Sequence, residues 1–563
     1  MIKKFSLPGL FLLFLMIYHG GDVWGCTNFL ITRGASSDGS TMITYAADSH
    51  SLYGELYHWP AAKWPSGSLL DVYEWDTGKF LGKIKQVAET YSVIGNMNEH
   101  SLAISETTFG GRQELGSQSG AIIDYGSLIY IALQRAKNAR EAIKVMASLV
   151  DEYGYYSSGE SFSISDPNEV WIMEMIGKGE GEKGAVWVAL KVPDGYICGH
   201  ANQARITTFP LDDSDNCLYS KDVISFAREK KWFSGLNPDF SFSDVYAPLD
   251  FEAVRFSDAR VWAGFNKVAS GMDKYAGYAQ GNIEYGGENN FPNNRTPLWI
   301  KPDKKLSVKD VMEMMRDHYE GTPLDMTKDV GAGPFELPYR WRGLTWKVDG
   351  KTYLNERAIS TQQTAFSFVA QCRNWLPAPI GGILWFGVDD SYSTCYAPIY
   401  CGITEIPECF KVGNGDLLNY SETSAFWTFN AVANFAYLRY SDMIKDIRKV
   451  QFQLEEKFIE LTPVIDNAAH EIYKSQGAEK ARRFITEYSV NEANGMTKQW
   501  KTLWHYLLVK YIDGNVKKEE NGQFLRNEYG QPASPNFPGY PEWWLRLIVK
   551  DTDDHLRVPE KKE

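Results

Sequence analysis

From Cys26 to about Phe410 the chain is built of short apolar or alternating runs, each closed by Gly, Asp, Asn or Pro. "CTNFLITR", "TMITYAA", "YSVIGNMN", "SLAISET", "SFSISDP", "EVWIMEMIG", "GAVWVALKVP" and "YICGHANQ" fit this pattern and predict strands. One long segment breaks the rhythm. "YGSLIYIALQRAKNAREAIKVMASLVDEYG" carries apolar residues at helical spacing, a basic middle and a Gly stop, which predicts one or two amphipathic helices lying on a sheet. From Ser424 to about Asp513 the character changes to long helical stretches such as "MIKDIRKVQFQLEEKFIEL" and "MTKQWKTLWHYLLVKYI". After Gly514 the chain is rich in Pro, Gly and charge, apart from an apolar "YPEWWLRLIV" that predicts a short docked element.

The first residues follow another logic. "MIKK" gives a positive start, "FSLPGLFLLFLMIY" an apolar core, and "VWG" leads up to Cys26, the pattern of a secretory signal peptide. No other stretch approaches the roughly 20 apolar residues that a bilayer crossing needs, so no membrane span is expected. The predicted layout is a signal peptide over 1–25, a catalytic domain over 26–423, a helical appendage over 424–513 and an irregular tail over 514–563. Export to the periplasm or the exterior follows from the leader.

Composition narrows the class. With 44% hydrophobic and 14% aromatic residues the chain can fill a large core, and 23% charged is ordinary for a globular protein. A net charge of -13 argues against a nucleic-acid partner, which would call for basic patches. There are seven cysteines, Cys26, Cys198, Cys217, Cys372, Cys395, Cys401 and Cys409, an odd number that leaves at least one thiol unpaired. Cys26 is the candidate, and the others read either as disulfide halves, with Cys395 near Cys401 and Cys409, or as buried thiols.

Familiar catalytic signals are missing: the sequence holds no HExxH, no paired CxxC, no P-loop and no G-x-S-x-G elbow. "DDSDN", Asp212 to Asn216, lacks the Gly and distal Glu of a calcium loop and reads as a solvated turn. His100 and His200 read as structural imidazoles, because no ligand spacing joins them. What remains is the cysteine that leader cleavage would expose. A free α-amine has a pKa of about 7.7 to 8.0, so near neutral pH it can accept the thiol proton. Nucleophile and base then belong to one residue, and neither a His partner nor a cofactor is needed.

Six segments in order, "CTNFLITRGASSDGSTMITYAADS", "GNMNEHSLAISETTFGGR", "ISDPNEVWIMEM", "HANQARI", "SDARVWAGF" and "GGILWFGVDDS", resemble the secreted cysteine dipeptidases of the N-terminal-nucleophile superfamily, distant relatives of bile-salt hydrolases and penicillin acylases. The resemblance implies an α+β fold, an αββα sandwich of two antiparallel sheets between helical layers, with a C-terminal helical region beyond it. It implies Cys26 as nucleophile, Asp48 as the acid beside the α-amine, Asn202 as an oxyanion-hole amide and Arg260 as a cation near the thiol. The relatives' second oxyanion donor is an Asn whose place falls on Thr108, or on Thr107 if the register slips by one. An Arg that the relatives carry three residues before Asp48 is here Tyr45, which weakens an electrostatic role at that position.

A small peptide is the implied substrate. Glu106 and Asp124 are candidates to meet its ammonium, and Arg112 or Arg205 its carboxylate. "GVDDS", with Asp389 and Asp390, reads as a turn. Two alternatives stay open: an acyl-amide hydrolase with the same nucleophile, and a lipid-anchored binding protein in which Cys26 is acylated.

Overall fold

The computed structural model describes residues 25–116 and 118–560; the predicted leader, apart from Gly25, lies outside them. The protein is a mixed α and β structure with several antiparallel sheets and a C-terminal helical region. Strand β1 (Gly25–Ile31) is buried at every position and starts one residue before Cys26. It pairs antiparallel with β2 (Thr41–Asp48), placing Cys26 opposite Ala47 and Gly25 opposite Asp48. The connection is an Asp-Gly turn. Asp38 Oδ1 accepts Ser40 N at 3.0 Å and Ser36 Oγ at 2.6 Å, and Gly39 takes the positive φ of +80° that the reversal requires.

A second sheet is built around β3 (Ala103–Phe109), β4 (Gly159–Ser165), β5 (Val170–Gly177) and β6 (Ala185–Lys191), each antiparallel to the next. Strand β7 (Ile197–His200) returns to the first sheet on the free side of β1, opposing His200 to Asn28. On the other side of β2 lie β8 (Thr364–Cys372), β9 (Gly382–Val388) and β10 (Ala397–Tyr400). The register shifts between Ala47 and Asp48, which face Phe366 and Thr364 respectively. This bulge turns the end of β2 toward Thr364. The sheets meet where β1 and β2 pack on β3 and β4.

Helices α1 (Tyr125–Arg135) and α2 (Ala139–Tyr153) divide the single periodic segment seen in the sequence. Asn138 separates them, its side chain capping α2 by accepting Glu141 N. Leu128, Ile131, Ile143 and Met146 of the pair pack with Ile104, Phe162, Ile164 and Met173 of the second sheet. A further helix, α3 (Ala259–Val268), carries Arg260 in its first turn.

The region read as helical holds α4 (Ala425–Ala436), α5 (Tyr440–Gln476) and α6 (Ala478–Tyr511). Its apolar face shares one core with the first sheet: Ile447, Leu454, Phe458 and Trp500 join Trp385, Phe386 and Ile399. Trp500 stacks on Phe429 with ring centroids 4.5 Å apart and planes 14° from parallel. Buried polar ties reinforce the contact. Glu455 receives Arg316 Nη2 at 2.5 Å, and Asp466 receives Tyr400 Oη at 2.7 Å and Arg373 Nη1 at 2.5 Å. In the tail, the predicted short element forms as the helix Glu542–Thr552, but it does not dock as expected: none of its residues is buried, and Trp543, Leu545 and Val549 are exposed. No helix among the described residues is long and apolar enough to cross a membrane. All seven cysteines are buried free thiols, so Cys395, Cys401 and Cys409 make no bridge with one another.

Candidate active site

The fold brings residues from six segments to the start of β1. The Cys26 backbone nitrogen donates to Asn202 Oδ1 at 3.0 Å, and its thiol lies 3.6 Å from Tyr45 Oη and 3.7 Å from Glu106 Oε1. Burial, and then the carboxyls of Glu106 and Asp48, push the Cys26 thiol well above its ordinary value. It is a protonated thiol at neutral pH. Attack on a carbonyl therefore requires a base, and no imidazole touches the sulfur among the described contacts.

Basic groups gather at the nitrogen end. Arg260, fully buried, donates to Cys26 O at 2.7 Å, Thr27 Oγ1 at 2.8 Å and Asn202 Oδ1 at 2.7 Å, so it holds the main chain of the nucleophile. Burial and the neighbouring Arg357 bring Arg260 down to about 9. Arg357 donates to Asp48 Oδ2 at 3.0 Å and to Asn202 Oδ1 at 3.3 Å. Asp48 also receives Thr364 Oγ1 at 2.7 Å, the contact that the bulge permits. Burial raises Asp48 to about 6, against the opposing pull of Arg357 and the Thr364 hydroxyl.

Asn202 is the hub of this end. It follows β7 in the left-handed region at φ +57°, which Asn tolerates better than most residues. Its Oδ1 accepts the three donors already named, and its Nδ2 donates to Thr108 O at 2.6 Å. The amide thus clamps β1, α3 and β3 together, with the nitrogen directed at Thr108 in this arrangement.

Acidic groups gather at the sulfur end. Tyr45 donates to Glu106 Oε1 at 2.5 Å. Strand alternation places Glu106 and Thr108 on one face of β3, and Ser105 and Thr107 on the other. Thr107 Oγ1 shares a hydrogen bond with His200 Nδ1 at 2.7 Å, whereas Thr108 Oγ1 donates to Glu160 Oε1 at 2.9 Å. Of the two alternatives, Thr108 belongs to the Cys26 neighbourhood through both Asn202 and the acids. Burial, and then Arg205, depress His200 to about 3, so it is a neutral structural imidazole.

Other candidates are not brought to Cys26. Asp124 caps α1, accepting Ser127 N at 3.0 Å and Trp75 N at 2.7 Å, which commits both oxygens to backbone. Arg205 donates to the carbonyls of Gly199, Thr296 and Pro297. Arg112 packs over the Trp232 ring and donates to Val245 O. Asp390 accepts Tyr339, Ser360 and Tyr437 hydroxyls, in keeping with a turn role for "GVDDS". His100 packs edge-on against Tyr91.

The sequence profile of peptidase family C69 matches residues 52–453, most of the chain. The chain belongs to peptidase family C69. This is a family of cysteine peptidases of the N-terminal-nucleophile type, and the C69 match spans Glu106, Asn202, Arg260 and Arg357 while beginning downstream of Cys26 and Asp48. The chain is similar to a probable dipeptidase of Latilactobacillus sakei, 25% identical over 69% of this chain and 77% of the relative. It is similar also to a probable dipeptidase of Salmonella dublin, 24% identical over 68% and 82%, and to dipeptidase A of Lactobacillus helveticus, 22% identical over 59% of each. The C69 chain is thus a cysteine-type peptidase.

Sequence reasoning missed Arg357 and Glu160. Arg357 lies in "LNERAIS", which has no periodicity and no motif. Glu160 precedes a strand-like run, and only its cross-strand pairing with Thr108 gives it a place in the site.

Proposed function

We propose that this protein is an exported dipeptidase whose nucleophile is Cys26, exposed as the first residue when the leader is removed, on the αββα sandwich of the N-terminal-nucleophile hydrolases. The observation that carries the proposal is the polarity around Cys26: guanidinium groups converge on its nitrogen through Asn202, and a carboxyl stands 3.7 Å from its sulfur. A dipeptide presents an ammonium on one side of the scissile amide and a carboxylate on the other, so it matches a site of this polarity. An uncharged acyl group does not. The dipeptidase names of the relatives support the same substrate class.

The steps follow from the groups present. The peptide nitrogen of Cys26 cannot take a proton while bonded to Gly25, so the thiol, held protonated by burial, stays inert in the precursor. Once free, the α-amine lies on Asn202 Oδ1 with Arg260 and Arg357 close by, and like charge favours its neutral, basic form. The amine takes the thiol proton as sulfur bonds to the carbonyl carbon. It then returns the proton to the leaving amine, leaving a thioester on Cys26. Water, deprotonated by the same amine, cleaves the thioester and restores the thiol. Glu106 meets the substrate ammonium in this scheme, and Arg357 lies on the side suited to the carboxylate.

Intact-mass measurement tests the proposal. The active protein is expected to begin at Cys26, to lack added lipid, and to cleave free dipeptides faster than N-acetylated or C-amidated ones. Full activity in a chain that retains its leader would refute the mechanism.

A further inference from the structure

Gly25, the last residue of the predicted leader, lies directly against a charged group. A β-carbon at this position would collide with Cζ, Nη1 and Nη2 of Arg357, so the guanidinium covers the Cα of the residue bonded to Cys26 N. No side chain fits there while Arg357 keeps its place. That place is fixed, because Arg357 is 2% exposed and bonded to Asp48 and Asn202. Strand pairing sets Gly25 opposite Asp48, which borders the same space.

These bonds do not saturate the guanidinium. Of its five N–H groups, one donates to Asp48 and one to Asn202, while Nε is buried with no hydrogen-bond partner among the described residues. A buried donor left bare is rare, because its desolvation goes uncompensated. The charge around it leans positive as well: Asp48 is a single carboxyl, and Arg357, Arg260 and Arg342 all act on it. Glu356, the neighbour in sequence, is taken up by Arg255 Nε at 2.9 Å. Removing Gly25 therefore uncovers, beside the α-amine, a space with a cation in its wall.

We propose that the place held by Gly25 in the precursor is the subsite for the carboxylate of the substrate's C-terminal residue, and that Arg357 binds it. The proposal rests on the dipeptidase reading above. In that scheme the α-amine of Cys26 returns its proton to the leaving amine, so the leaving residue sits where the chain once ran on from that nitrogen. Its carboxylate is separated from its own nitrogen only by Cα, which brings it to the guanidinium that Gly25 had covered. An amide carries no charge to that point, and a longer peptide carries its charge past it. Arg357 is thus the residue that restricts the enzyme to dipeptides, and in the precursor the end of the leader fills the subsite.

The test compares kcat/KM for Ala-Ala, Ala-Ala amide and Ala-Ala-Ala in the mature wild-type protein and in Arg357→Lys, Arg357→Gln and Arg357→Met. The wild type is expected to favour Ala-Ala over each of the others by about 30-fold or more, the effect of leaving one partner of a buried charge pair unmatched. Every variant should be slower overall, because Asp48 loses its partner, so the ratio between substrates is the readout. An arginine with a merely structural role would slow all three substrates alike and leave the ratio unchanged. Arg357→Gln and Arg357→Met should bring it down to about 3 or less, and Arg357→Lys, which keeps a charge, should hold an intermediate value. Arg357→Gln retains donors for Asp48 and Asn202 and carries the test if Arg357→Met does not fold; where turnover is too slow to follow, calorimetric binding of the same peptides in a Cys26→Ser background reads the same ratio. A wild-type ratio in Arg357→Gln overturns the subsite and leaves the dipeptidase reading intact. Failure of the wild type to cleave Ala-Ala, or equal rates on all three substrates, overturns both.

Discussion

Replacing Arg357 by Met removes the cation that opposes the burial of Asp48, and its effect on stability should depend on pH in a calculable way. Asp48 titrates at about 6 in the folded protein, against about 3.9 in an unfolded chain. A cation at hydrogen-bond distance lowers a carboxyl by about 1 to 3 pH units, so without Arg357 the folded value rises to ~7–9. The sign follows from proton binding. Because the folded group holds its proton more tightly than the unfolded one, its contribution is most favourable below about pH 4 and is lost as pH rises, until the folded group itself ionises.

In the wild type that loss stops above about pH 6; in Arg357→Met it continues to the higher folded value. At pH 7 the ionisation that the wild type gains and the variant lacks is worth about 1 kcal/mol, and at pH 8 it reaches up to about 3 kcal/mol. At pH 5 Asp48 is protonated in both folded proteins, and this difference vanishes. Loss of the bond to Asn202 adds a pH-independent cost of about 1–3 kcal/mol. Urea unfolding at pH 5, 6, 7 and 8 measures both parts: the gap between wild type and variant should be smallest at pH 5 and widen above pH 6. In an Asp48→Asn background Arg357→Met should cost the same at every pH. A gap that is flat from pH 5 to 8, or that narrows as pH rises, would refute the reasoning.

Two further outcomes follow from contacts described above. Asn202→Ala should lower kcat by about 10² in a steady-state dipeptide assay, through loss of the clamp on the nucleophile; because the residue sits at φ +57°, Asn202→Gly should unfold at higher denaturant than Asn202→Ala, by about 1 kcal/mol. Trp500→Ala, deleting a fully buried ring stacked on Phe429, should cost about 3–5 kcal/mol and lower the single transition seen by both far-UV circular dichroism and loss of activity.

The sequence carried the strands around the site because they are short, nearly continuous apolar runs closed by turn residues, and they are buried on both faces. Runs such as "TMITYAA" and "EVWIMEMIG" correspond to β2 and β5 within a residue or two at their ends. Six of the residues expected at the site, Cys26, Asp48, Glu106, Thr108, Asn202 and Arg260, converge in space, because each lies in a segment with its own recognisable order. Arg357 does not reveal itself that way. It lies in an irregular loop and meets Asp48 across 309 positions of chain, a pairing set by the bulge at the end of β2 and not by any local pattern. Glu160 became part of the site only through the register that sets it opposite Thr108, and pairing register is a property of two strands that neither states alone. Asp124 shows the converse: its nearness in sequence to the motifs of the site made it look available, while its place before a helix commits it to capping.

The order of strands in the sheet of Cys26 has a consequence for how the enzyme comes into being. β1 and β2, made first, are flanked on one side by β8, β9 and β10 from the last third of the chain, and part of the outer face of that sheet is covered by α4 to α6, which end at Tyr511. A growing chain therefore has its nucleophile long before it has the partners that seat Asp48 or the layer that keeps the sheet dry. The active centre is assembled late, when the polypeptide is nearly complete, and a ribosome-bound fragment ending before Arg357 carries a cysteine without a site.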